Sequence, residues 1–200
     1  MLIFETALRI LEKQGLEGLT TNRIAELSGF GVGTIYQYFA NKQEILLALA
    51  RHEQERKLAE VTALLRTQPE PPALPGELPR IRALIRALLQ AFGGRHRARR
   101  IILQTALDAG LPSAGEAAAA FAALLVEGVA AGPDGHDLRL DELEAYVLVQ
   151  AVLGAIRGAL LRDERLLRRP AFEDALVSLI SGFLATRTKA LANPCPATVP

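Results

Sequence analysis

The chain has 200 residues, 50% of them hydrophobic, and a formal net charge of +1 at pH 7. That is ample for a packed core but not for a polycation, so any nucleic-acid contact must come from a local surface. No apolar run reaches the roughly 20 residues needed to span a bilayer, Glu5, Arg9 and Glu12 interrupt any signal-peptide core, and the one cysteine, Cys195, excludes an internal disulfide and suits a reducing cytoplasm.

Residues 2–14 are predicted to form an amphipathic helix. Phe4, Ala7, Leu8 and Leu11 follow the i, i+3, i+4, i+7 spacing, and Gly15 stands where a helix-ending glycine belongs. Thr20 is a predicted N-cap for a helix with Ile24, Ala25 and Leu27 on one apolar face. A turn with Gly29, Gly31 and Gly33 follows. It leads into a short helix that turns Ile35 and Phe39 inward and leaves Thr34, Gln37 and Tyr38 outward, with Tyr36 at the side and Lys42 just past the end. Two short helices around a tight turn, the second with a face of hydroxyls and an amide, fit the helix-turn-helix plan.

The run SGFGVGTIYQYFANKQEIL, residues 28–46, resembles the DNA-binding signature of the TetR family of transcriptional regulators. Its core of Gly-Thr-hydrophobic-Tyr-x-aromatic-Phe-x-x-Lys is matched in full. The resemblance covers about the first quarter of the chain. It implies that Thr21, Tyr36, Tyr38 and Lys42 contact phosphates and that Thr20 belongs to the same DNA-binding set. Gln37 and Thr34 are the better candidates for base edges, since glutamine pairs with adenine and a threonine methyl meets thymine. Gly33 permits close backbone approach to the groove. Gly31 stands where the family often has a capping serine or threonine, so one cap and one phosphate contact are expected to be missing.

From Asn41, a predicted N-cap with Glu44 in capping-box position, a long helix runs to about Arg66 with Ile45, Leu46, Leu49, Leu58, Val61 and Leu65 buried. Residues 67–79 hold five prolines and read as a loop. Helices are then predicted over 79–93, with Ile81, Leu84, Ile85, Leu88 and Leu89 inward, and over 95–109, with Ile101, Ile102, Thr105 and Ala106 on one face. An alanine-rich helix is predicted from Ser113 to Ala131, then a loop at 132–140. Asp141 caps a helix to Leu161 carrying Leu143, Val147, Ala151, Gly154 and Gly158. A charged junction, 162–169, precedes a last helix from Pro170 to about Leu191 with Phe172, Leu176, Leu179, Ile180, Phe183 and Leu184 apolar. No segment reads as a strand. The expectation is an all-α chain with a DNA-binding head at 1–46, a ligand-binding and dimerisation body at 47–191, and a disordered tail at 192–200.

The resemblance implies a homodimer built on a four-helix interface of the last two helices from each subunit. It also implies a palindromic double-stranded DNA operator and a small-molecule effector held in the body. Gln104, Thr105, Tyr146 and Gln150 are the polar candidates for a largely hydrophobic effector. The arginines at 80, 82, 86, 95, 97, 99 and 100 have no acid between them; they read as a solvated face, or as attraction for an acidic effector or DNA backbone. His52 reads as a core histidine and His136 as part of a solvated turn. No histidine has a nearby nucleophile, and no glycine-rich phosphate loop or spaced carboxylate pair is present, so no catalytic residue, metal or cofactor is expected. The rival reading is a helical ligand carrier or partner-binding protein without DNA binding.

Overall fold

The structure, a computed structural model, describes residues 2–67, 79–110, 119, 122–123 and 140–192. In chain order these form α1 (Leu2–Gln14), α2 (Thr21–Ser28), α3 (Val32–Tyr38), α4 (Lys42–Thr67), α5 (Pro79–Phe92), α6 (His96–Asp108), α7 (Glu142–Arg162), a 3₁₀ helix (Glu164–Arg168) and α8 (Pro170–Ala192). The described residues contain no strand, so the fold is all-α as expected. Of the alanine-rich helix only 119, 122 and 123 are described, and these are helical. The proline-rich segment 68–78, the His136 loop and the tail with Cys195 lie outside the described residues.

Local chemistry sets the helix ends. The Arg23 amide donates to Thr20 Oγ1 at 3.1 Å, which caps α2. Gly29 closes it with φ +76°, a left-handed position where a side chain would be strained. The Glu44 amide donates to Asn41 Oδ1 at 3.0 Å, while Glu44 accepts from the Ala40 amide at 2.8 Å. Asp141 and Glu144 form a full capping box at the start of α7.

The apolar residues gather into two clusters. The head cluster unites Ala7, Leu8, Ile10 and Leu11 of α1, Ile24 and Ala25 of α2, Ile35 of α3 and the first two turns of α4. It also takes Ala98, Ile102 and Ala106 of α6. Because α1 packs against α2 and against α6, it is buried beyond the predicted stripe, and Ile10 and Thr6 go inside too. On α2 the predicted Leu27 is exposed and Ser28 is buried instead, since Ser28 is a helical neighbour of both Ile24 and Ala25 whereas Leu27 neighbours Ile24 alone.

The body cluster joins Val61 of α4, the inner faces of α5 and α7, Leu167 of the 3₁₀ helix and Leu176, Val177, Ile180 and Leu184 of α8. Thus α4 supplies Leu46 and Leu49 to the head and Val61 to the body. On α7, Leu143, Val147, Ala151 and Gly154 are exposed, and Ala145, Leu148, Val149, Val152, Leu153 and Ile156 fill the core. Leu179 of α8 is also exposed. The expectation about membrane-length segments is corrected. At 21 residues, with a mean hydropathy of 1.4 in its most apolar window, α7 is long and apolar enough to cross a bilayer. Here that hydropathy comes from one face buried in the body core and a second apolar face outside it.

Several members of the arginine run are engaged within the chain rather than only solvated. The Arg95 guanidinium donates to both Glu5 oxygens at 2.9 and 2.5 Å, Arg97 donates to the Lys13 carbonyl at 3.1 Å, and the Ala98 amide donates to Glu12 at 2.9 Å. These contacts fasten α6 to α1. Gly15 serves the same joint: a Cβ there would come within 2.5 Å of the Arg97 guanidinium. On α5, Arg82 meets Glu173 at 3.1 Å and Asp174 at 2.9 Å, and Arg86 meets Glu173 at 2.7 Å, tying α5 to α8.

The Arg82 and Glu173 side chains are only 9% and 16% exposed, whereas Asp174 is 54% exposed. Removing the buried acid takes from the buried guanidinium the more deeply buried of its two carboxylates. Glu173→Leu should therefore destabilise the chain by about 3 kcal/mol, and Asp174→Ala by less than about 1 kcal/mol. Urea unfolding of both variants measures the difference, and equal effects would contradict the assignment.

Candidate nucleic-acid interface

Helix α3 spans seven residues, Val32–Tyr38, too few to stand alone in water. It has no side-chain cap, because Gly31 occupies the N-cap with φ −64°, so the missing cap is as expected. What holds it is Ile35, fully buried in the head cluster, with half-buried Phe39 behind it. The ring of Phe39 lies 6.1 Å from that of Phe4 on α1. Phe39 takes an extended conformation, φ −141°, which ends the helix and lets Asn41 begin α4.

With Ile35 turned inward, Tyr36, Gln37 and Tyr38 are exposed, and Tyr38 reaches 72% exposure. Thr34 is half-buried and Gly33 is exposed. Thr21, at the start of α2, donates from Oγ1 to the Tyr36 hydroxyl at 3.0 Å. This bond fixes the N-terminus of α2 beside α3. Thr20 is exposed next to it, its hydroxyl occupied by the cap, and Lys42 is exposed at the first position of α4. A Cβ on Gly33 would meet nothing within 4 Å, so no intrachain contact demands glycine there. The face therefore offers hydroxyls, an amide, an ammonium and an open backbone edge. These are the groups that meet phosphates and base edges in a major groove.

The four residues expected to hold an effector lie on α6 and α7 and differ in burial. Gln104 is exposed and donates to Asp108 Oδ1 at 2.8 Å. Thr105 is buried on α6, Gln150 is half-buried on α7, and Tyr146 is exposed among the outer residues of α7. An apolar cavity between α5, α7 and α8, walled by Leu84, Leu88, Leu148, Val152 and Ile180, holds only about 20 Å³. That is room for about one water. A second cavity, of about 370 Å³, lies where α1, α4 and the α5–α6 turn meet. None of the four residues lines either cavity. Sequence reasoning passed over the second cavity because its walls come from segments about 40 residues apart. Only the unbroken arginine run hinted at it.

Residues 3–49 match the family model described as bacterial regulatory proteins, tetR family. The HTH-type transcriptional repressor AcnR of Corynebacterium diphtheriae is 41% identical over 61 residues, 30% of this chain and 32% of that protein. The tetracycline repressor protein class C of Escherichia coli is 46% identical over 48 residues, 24% of this chain and 22% of that protein. The matched segment thus spans a third or less of these curated relatives. The multidrug binding protein EbrR, solved in complex with imidazole, superposes with a TM-score of 0.62 at 25% identity, covering 98% of this chain and 96% of that chain. The head thus matches the family model of the bacterial regulatory proteins, tetR family, and the fold continues through the body as in EbrR, so the chain is similar to that family over its head and to a protein of the same fold over nearly its whole length.

Proposed function

We propose that the chain is a dimeric, ligand-responsive transcriptional repressor that binds a palindromic DNA operator. The observation that carries this reading is the exposed face of α3, with Tyr36, Gln37 and Tyr38 outward on a helix whose one buried anchor is Ile35. The printed names of the relatives, repressors in each case, support it. In this reading Thr20, Thr21, Tyr36, Tyr38 and Lys42 hold phosphates. Gln37 and Thr34 read bases, and Gly33 lets the backbone come close.

The outer faces of α7 and α8 are the proposed dimer surface. Leu143, Tyr146, Val147 and Leu179 are exposed apolar or aromatic residues, and a Cβ on Gly154 or Gly182 would meet nothing within 4 Å. Exposed apolar residues with small ones among them suit close packing against a second copy. The effector is a largely hydrophobic small molecule entering the body, a reading supported by EbrR's description as a multidrug binding protein. It releases DNA by preferring a form in which the two heads no longer match adjacent major grooves. Head at 1–46 and body at 47–191 is the working division, with α4 crossing between them.

A binding selection from a random duplex library should yield a two-fold sequence. On that duplex Lys42→Ala should weaken binding uniformly and lower the salt slope by about one. Gln37→Ala should cost about 1–3 kcal/mol of discrimination at one base pair. Failure of the library to yield any salt-sensitive binder would return the chain to the reading of a ligand carrier.

The dimer surface has its own test. Leu143 is 70% exposed, so Leu143→Glu disturbs no intrachain packing. The variant should sediment as a folded monomer where the wild type is a dimer. A wild type that is monomeric at micromolar concentration would contradict the assignment.

A further inference from the structure

The cavity of about 370 Å³ at the junction of head and body falls in the range of small-molecule sites, roughly 300–1,000 Å³. Phe4 and Leu8 of α1 give it an apolar wall, with His52 of α4 ring to ring against Phe4 at 4.9 Å. Charged side chains make up the remainder. Glu5 is engaged by Arg95, and Glu53 by Arg56 through two contacts of 2.9 Å. Burial alone would raise the Glu53 carboxyl, but the Arg56 hydrogen bonds and charge outweigh it and hold it below its ordinary range.

Arg99 is the group left over. It is 9% exposed, lines the cavity and donates to the Gly93 carbonyl. Among the described residues no carboxylate lies within ion-pair distance of it. The largest favourable charge acting on it is that of Glu53, which Arg56 already engages, and a buried guanidinium without a hydrogen-bonded carboxylate of its own is costly. Lys57 lies beyond the cavity wall, on the other side of Arg99: its ammonium sits 4.3 Å from the centre of the Phe92 ring, and desolvation, then the Arg99 charge, push it down to about 8. The cavity walls carry three arginines against two glutamates, one net positive charge, which matches a monoanion better than a dianion.

We propose that this junction cavity binds a small organic carboxylate, its anionic end on the Arg99 guanidinium and its hydrocarbon part against Phe4 and Leu8. Such a ligand bridges α1 of the head to α4 and the α5–α6 turn. It occupies a site separate from the apolar space between α5, α7 and α8. The proposal does not depend on DNA binding, and its test contains no DNA.

The full chain is titrated with benzoate and with benzamide, its uncharged analogue, by calorimetry and amide NMR. Benzoate should saturate, with shifts centred on Phe4, Leu8, Gly94 and Arg99, and benzamide should bind at least about tenfold more weakly. Arg99→Met, checked for folding by circular dichroism, should lose benzoate affinity by about the same factor, while Arg100→Met, at an exposed position, should retain it. If Arg99→Met does not fold, the wild-type shift map and the benzoate-to-benzamide ratio decide alone. Equal binding of the two probes, shifts centred elsewhere, or unchanged affinity in folded Arg99→Met would overturn the proposal. So would tighter binding of inorganic phosphate, or no saturation by about 10 mM benzoate.

Discussion

The head cannot close its own core. The cluster of α1, α2 and α3 with the start of α4 is completed by Ala98, Ile102 and Ala106 of α6, which packs against α1. Alanines at two of these three positions let α6 lie close to α1, so the contact is made by backbone proximity as much as by bulk. Polar contacts set its register: Arg95 on Glu5, Arg97 on the Lys13 carbonyl, and the Ala98 amide on Glu12. Each exposed ion pair contributes little alone. Around a fully buried apolar strip they select one orientation of head on body.

This constraint explains how a weak recognition element can hold its position. With seven residues and a glycine at its N-cap, α3 has little intrinsic helix stability. Its order derives from Ile35 in the head cluster and from the Thr21–Tyr36 bond at its edge. Since α6 is part of that cluster, a displacement of α6 reaches α3 through packed side chains rather than through a flexible linker. The other shared element, α4, contributes Leu46 and Leu49 to one core and Val61 to the other, with buried Glu53 between them. Head and body therefore have two mechanical connections, and the junction cavity lies between them.

Much of this was legible in the sequence. Helix-period spacing, the caps at Thr20, Asn41 and Asp141, and the breakers Gly15 and Gly29 are local signals, and the elements they define are present. The outward face of α3 was legible for the same reason, since Ile35 alone fixes the helix's rotation. What depended on tertiary partners was not. The stripe Leu143, Val147, Ala151 and Gly154 is apolar in sequence, yet the core takes the opposite face of α7. Periodicity marks an apolar face but does not say whether a helix carries two. The arginines of α5 and α6 looked solvated because their partners, Glu5, the Lys13 carbonyl, Glu173 and Asp174, lie about 80–90 residues away.

The central claim is that α6 and the head form one cooperative unit. Native-state amide hydrogen exchange in the full chain, followed across a low denaturant series, measures it directly. The account predicts that the slowest amides of α1, α2 and α6 share one opening free energy and one denaturant dependence. Exchange of the α1 and α2 amides through a separate, much lower-energy opening, with α6 still protected, would contradict it.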